Sequence, residues 1–214
     1  MSARLRILYA AGPGDAVDAY RLWKVGKDAP FEMSIAFSKT FLDWCDGASA
    51  EAHLISSNSR REIFRDGQYV VENRPRPASY WANGVRYHLA SVGYGLSVVG
   101  TALRERPDVV IVDSGTTHWI VLSLLALMRI PVIAVMHNAL WPAGHRPGRR
   151  FDRLRLALDG LFFRRFAAAT VCVSPECERQ VRIIAQTPGV PFLNTGRDFA
   201  GDFWMFSLPH HLMS

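Results

Sequence analysis

Along this chain, short apolar runs rich in β-branched residues alternate with longer stretches in which apolar residues return every three or four positions. Six runs read as strands: residues 5–10, 51–56, 85–90, 109–112, 132–136 and 170–173. A helix is predicted from Ser34, a good N-cap residue, with Ile35, Phe37, Phe41, Leu42 and Trp44 on its apolar face and Asp46-Gly47 closing it. Further helices are expected over 91–106, where Gly93, Gly95 and Gly100 would allow close packing, and over 117–128, 150–167 and 175–185. Ser174-Pro175 opens the last of these well, because Ser caps orphan amides and Pro is tolerated in the first turn. Strands alternating with helices predict an α/β domain whose sheet is mostly parallel and flanked by helices.

Two stretches do not fit the alternation. A long polar loop is expected from the glycines at 12 and 14 to about Met33. Residues 60–83 are irregular, with 64–71 as a small excursion and Arg74-Pro75-Arg76-Pro77 as a break. The pattern dissolves near Asn194, so the expected organisation is one domain over 1–193 and an irregular aromatic tail over 194–214. Trp119 to Met136 is almost wholly apolar, yet Arg129 and Pro131 interrupt it. A buried helix, a turn and a buried strand account for it better than a membrane span does.

Composition narrows the class. An apolar share of 49% and a charged share of 21% are those of a core-forming globular protein. Cys45, Cys172 and Cys177 form neither a disulfide framework nor a zinc motif, which fits a reducing cytoplasm. The net charge of +6 is localised: residues 141–170 carry seven arginines (146, 149, 150, 153, 155, 164, 165) against Asp152 and Asp159. Basicity confined to one helix and its approach loop argues against a general nucleic-acid-binding surface. The helix itself is amphipathic. It can lie on an anionic membrane, or it can pack on the sheet with its arginines solvated.

In open α/β sheets, ligands sit outside the carboxyl ends of the strands. Gly12-Pro13-Gly14-Asp15 follows the first strand, but a dinucleotide fingerprint would need a third glycine where Val17 stands and a helix opening at once. What remains is a turn whose backbone can approach a diphosphate or sugar, or an ordinary tight turn. His137 and Asn138 follow the buried strand 132–136, with Trp141 close behind as a surface for stacking on a sugar or base. His118 occupies the equivalent edge after the preceding strand, and Thr116 there is expected to cap helix 117–128. The sequence contains no nucleophile elbow, Walker loop, HExxH or CxxC, and no general base with an evident partner.

Three segments together resemble the N-terminal domain of bacterial family 4 glycosyltransferases: Arg6-Ile-Leu-Tyr-Ala-Ala-Gly-Pro-Gly-Asp15, Pro131-Val-Ile-Ala-Val-Met-His-Asn138 and Ala169-Thr-Val-Cys-Val-Ser-Pro-Glu176. The resemblance covers about residues 4–190 and implies a Rossmann-like domain forming the acceptor-side half of a GT-B fold. It implies sugar transfer from a nucleotide-sugar to a glycan or lipid-linked acceptor, with no metal and no cofactor beyond the donor. Gly12, Pro13, Gly14 and Asp15 would lie near the donor diphosphate, and His137 would be the catalytic residue contacting the donor sugar. Thr116, His118, Asn138 and Trp141 would line the acceptor side. Nothing before Ser214 matches the family's second, donor-binding domain. The expectation is therefore a half inactive alone: a fragment, a subunit completed by a separate donor-binding protein, or a repurposed binding or scaffold domain. The expected location is the cytoplasm, with peripheral contact at the inner membrane through helix 150–167.

Overall fold

The structure, a computed structural model, describes residues 4–27, 36–76, 84–142, 147–187 and 189–192. The Ser34 cap, Arg146 and the tail from 194 lie outside the described residues. The strands are β1 (Arg6–Pro13), β2 (Glu51–Asn58), β3 (Glu62–Asp66), β4 (Tyr69–Pro75), β5 (Val109–Asp113), β6 (Val132–Met136) and β7 (Ala169–Cys172). They form one sheet in the order β3-β4-β2-β1-β5-β6-β7, parallel throughout except for the β3–β4 hairpin. The helices are α1 (Ala16–Lys24), α2 (Ala36–Gly47), α3 (Val85–Glu105), α4 (Ser123–Leu127), α5 (Arg150–Arg165) and α6 (Pro175–Ala185).

Two cores lie on opposite faces of the sheet. Ile7, Tyr9, Leu54 and Val71 point toward α1 and α2, while Leu8, Ala10, Val110 and Ala134 point toward the layer of α3, α4, α5 and α6. This is the period-two alternation of strands buried on both sides. Each fully buried leucine or isoleucine contributes about 1.5–3 kcal/mol relative to an exposed one.

The structure corrects four expectations. The long loop after Gly14 is absent, because α1 opens at Ala16. Ala16, Val17, Ala19 and Tyr20 bury one helical face, and Asp15 caps the first turn by accepting from the Asp18 N–H. Residues 85–90 are the start of α3 rather than a strand. Alternation of Val85, Tyr87 and Leu89 with polar residues mimics a strand, but Val85 and Leu89 are exposed and the buried positions Ala90, Ser91, Tyr94, Gly95, Val98 and Val99 keep helical spacing. The third parallel strand is instead β4, inside the stretch that looked irregular, with Gly67 at φ 57° in the hairpin turn. Helix 117–128 is also shorter than expected: a 3₁₀ turn at Trp119–Leu122 leads into α4.

Two glycines set how closely elements approach. A Cβ on Gly95 would lie 2.2 Å from Thr117 Oγ1, so α3 can sit against the loop after β5 only without a side chain there. A Cβ on Gly160 would lie 2.0 Å from the Ile184 carbonyl oxygen, where α5 crosses α6. Gly93 and Gly100 meet nothing within 4 Å and have no such role.

Candidate functional site

β1 has β2 on one side and β5 on the other, so the chain reverses its winding direction between β1 and β5. In doubly wound sheets this switch point opens a crevice at the carboxyl edge, because the following connections diverge to opposite faces. Gly12–Asp15, Asp113–His118 and His137–Asn138 all fall on this edge, at the ends of the neighbouring strands β1, β5 and β6.

The glycine loop is held from both sides. The Gly14 N–H donates to the Ser57 carbonyl (3.0 Å), and Ser56 Oγ (3.1 Å) and Asn58 Nδ2 (2.9 Å) donate to the Gly14 carbonyl. Asn73 Nδ2 donates to Asp15 Oδ1 at 2.6 Å. The Asp15 carboxylate is thereby occupied as the α1 cap, and the loop conformation is pinned to β2 and β4.

A buried carboxylate organises the next two strand ends. Asp113, 2% exposed, accepts from Tyr9 Oη at 2.8 Å, and its Oδ1 stands 3.2 Å from His137 Nε2. Burial, with the adjacent Asp113 charge, raises the Tyr9 pKa well above its ordinary value, so its proton stays to serve Asp113. Ser114 Oγ accepts from the His137 N–H (3.0 Å) and the Asn138 N–H (3.3 Å), tying the loop after β6 to that after β5. Thr116 is fully buried, and its hydroxyl donates to the Ala10 carbonyl at 3.4 Å. It locks β5 to β1 and does not cap a helix.

Beside this cluster is a cavity of about 300 Å³ whose lining includes His88, Ser114, His118, Asn138 and Arg155. His88 Nδ1 lies 3.0 Å from His118 Nε2. Burial and the nearby Arg155 charge lower His118 to about 4, so it stays neutral and one ring of the pair donates to the other. Asp159 forms part of the cavity wall, accepts from the Ile120 N–H (3.2 Å) and lies 3.5 Å from Arg155; burial still raises its pKa to about 6. The cavity has hydroxyl, imidazole, amide and guanidinium groups beside the Tyr87 ring, a combination suited to a polyhydroxylated ligand.

Trp141 does not reach this edge. It is buried, its backbone N–H and carbonyl both bond Gln180, and it lines a separate depression with Leu156, Ile183 and Ile184 between α5 and α6. Its apolar ring is used in packing. The three cysteines are buried too, and burial pushes the Cys45 and Cys172 thiols up to about 12, which removes them as nucleophiles.

Several residues of the site escaped sequence reasoning. Asp113 supplies the charged neighbour that His137 lacked in the linear pattern, and Tyr9 in turn donates to Asp113; the available signal was a carboxylate ending a wholly apolar strand. His88 was hidden by the misread start of α3, and Arg155 by its place among many arginines.

The profile of Glycosyltransferase Family 4 matches residues 43–189, more than half of the chain. The chain belongs to glycosyltransferase family 4. No curated protein matches it in sequence. Among solved structures, this family 4 domain is similar to sucrose-phosphate synthase from Thermosynechococcus elongatus (TM-score 0.57, 8% identity, 89% of this chain and 47% of that one). It is also similar to an α,α-trehalose-phosphate synthase (UDP-forming) from Burkholderia vietnamiensis (0.53, 8%, 86% and 44%). A third is trehalose-6-phosphate from E. coli bound with UDP-2-fluoro glucose (0.53, 7%, 85% and 42%). The family 4 chain spans less than half the length of each. It has the single α/β domain expected of the N-terminal half of a GT-B fold.

Proposed function

We propose that this domain serves transfer of a sugar from a nucleotide-sugar to a glycan or lipid-linked acceptor, and that it is inactive without a facing donor-binding domain. The observation carrying this reading is the His137–Asp113–Tyr9 cluster at the switch point, adjoining a polar cavity of about 300 Å³. Family membership and the nucleotide-sugar analogue in one structural neighbour support the donor class.

Glycosyl transfer breaks the bond between the anomeric carbon and the diphosphate oxygen and forms one to an acceptor oxygen, the acceptor hydroxyl's proton departing to the leaving diphosphate or to water. His137 is the catalytic residue contacting the donor sugar. The Asp113 carboxylate, 3.2 Å from Nε2, places a negative charge beside its imidazole. Gly12, Pro13 and Gly14 keep the β1 edge low enough for the diphosphate to approach. His118, Asn138 and Arg155 bind the acceptor, so the half-site contributes positioning while the leaving diphosphate is stabilised from the facing domain.

The test is a panel of nucleotide-sugars assayed for hydrolysis and transfer, with the chain alone and with a family donor-binding domain supplied. Transfer is expected only with the second domain, and His137→Ala is expected to lower it by at least a hundredfold. Transfer by the chain alone refutes its dependence on a facing domain. Full activity of the His137 variant refutes the assigned role.

A specific surface supports peripheral membrane contact. Phe151, Leu154 and Leu158 are exposed along α5, beside Arg150 and Arg153, and the Phe151 ring lies 4.8 Å from that of His88 at the cavity. An apolar stripe flanked by arginines suits an anionic bilayer, and it would bring a lipid-linked acceptor to the cavity mouth. Co-sedimentation with anionic vesicles at low salt tests it. Loss of binding in Phe151→Ser/Leu154→Ser is expected, and no binding by the unaltered protein overturns it.

A further inference from the structure

Away from the switch point, a second concavity of about 670 Å³ lies between α3 and the outer strands β3 and β4. Its origin is topological. α3 alone covers this part of the sheet, and the hairpin carries β3 past the edge of that cover. The side chains of β3 alternate accordingly. Glu62, Phe64 and Asp66 meet α1 through Arg21 and Tyr20, while Arg61, Ile63 and Arg65 line the concavity.

The groove is strongly basic. Arg61 and Arg65 make no ion pair among the described residues, and Arg104 touches only Glu105, at 3.5 Å. On the floor, Arg74 forks onto Glu72 (2.9 and 2.7 Å) and donates to Ser97 Oγ and Thr101 Oγ1. That pair cancels itself, leaving three cations without a buried counter-charge. Antiparallel pairing sets Ile63 opposite Glu72. Arg61 therefore stands level with Arg74 at one end, while Arg65 sits toward the other. Four residues along a strand separate Arg61 from Arg65 by about 13 Å.

A second observation points to a ligand. Tyr94 lines the groove, is 2% exposed, and its hydroxyl has no hydrogen-bond partner among the described residues. A buried hydroxyl left unpaired carries a desolvation penalty that a ligand oxygen reaching it from the groove would recover. The Arg76 guanidinium stands 4.9 Å from the centre of the Tyr94 ring.

We infer that this groove binds an anionic oligosaccharide, one that carries carboxylate or phosphate groups on successive sugars. The two cationic ends stand too far apart for one phosphate or diphosphate to reach both. The Tyr94 hydroxyl between them suits a sugar oxygen, and Ile63 offers an apolar contact for a ring face. The site is separate from the switch-point cluster, and its occupancy does not depend on the transfer reaction.

The experiment is calorimetric titration of the full chain with tetragalacturonate, neutral maltotetraose and inorganic phosphate at low and moderate salt. Tetragalacturonate is expected to bind at least tenfold more tightly than either control, with affinity falling as salt rises. Arg61→Glu/Arg65→Glu is expected to weaken it at least tenfold, and Tyr94→Phe two- to fivefold, with melting temperatures confirming that the variants fold. Equal binding to the charge-reversed variant, or equal affinity for maltotetraose, overturns the inference. Phosphate binding as tight as that of tetragalacturonate also overturns it, because the groove would then be a single-anion site.

Discussion

Asp159→Asn gives the sharpest test of the electrostatics around the cavity. Asp159 is 1% exposed, and burial raises its pKa from 3.8 to about 6. The folded protein therefore holds this proton more tightly than the unfolded chain does. Stability must fall as pH rises from about 4 to about 6, then level off. The ionisation penalty at neutral pH is about 3 kcal/mol by linkage. Asparagine keeps an oxygen to accept the Ile120 N–H and never ionises. It loses the Arg155 pair, long at 3.5 Å, whose attraction is already contained in the pKa of about 6 and so takes nothing further from the gain. The variant should thus lie close to the parent near pH 4 and exceed it by about 2–3 kcal/mol at pH 7.5. Urea unfolding monitored by far-ultraviolet circular dichroism at both pH values measures this, with an unchanged slope against denaturant as the control. A stability difference that is the same at both pH values would refute the reasoning, since it would mean Asp159 is ionised in the fold without cost.

Three further outcomes follow from the packing and charges. Gly160→Ala should destabilise by about 2–4 kcal/mol despite Ala's better helix propensity, because the new methyl meets the Ile184 carbonyl, whereas Gly100→Ala, with open space around it, should stabilise by about 0.5–1 kcal/mol; thermal melts that rank them the other way would contradict the α5–α6 geometry. The His118 ring should titrate near 4 by NMR, with stability lost as pH falls from about 6.5 through that value, and a midpoint near 6.5 would place it in solvent. Glu72, lowered to about 2 by the adjacent His53 and the Arg74 hydrogen bonds although burial opposes them, should contribute stability above about 4.5 that disappears as pH falls toward 2. Glu72→Gln should therefore weaken the fold at pH 7 and have little effect near pH 2.

Legibility varied with how local each signal was. The runs 132–136 and 109–112 read directly as strands because strands buried on both faces are continuously apolar and β-branched. Ser174-Pro175 marked the start of α6 for an equally local reason, a side chain bonding an amide three residues on. β4 was obscured because it carries Glu72, Asn73 and Arg74: Glu72 and Arg74 pair with each other, and Asn73 bonds Ser56 of β2, so polar residues occupy a strand inside the sheet. α1 was hidden by polar neighbours, since its apolar face has meaning only against β1, β2 and β4.

By itself, the sequence determined the α/β class, most of the strand ends that carry polar chemistry, and the resemblance to family 4, which the family profile bears out. These depend on local period, capping and motif order, all written in consecutive residues. Only the tertiary structure decided that β1 and β5 are neighbours, that Asp113 and Tyr9 stand behind His137, that His88 pairs with His118, and that Trp141 faces inward. Each of these is a contact between residues far apart in the chain. Such contacts are fixed by which face of an element is buried and by strand order, and neither is encoded at any single position.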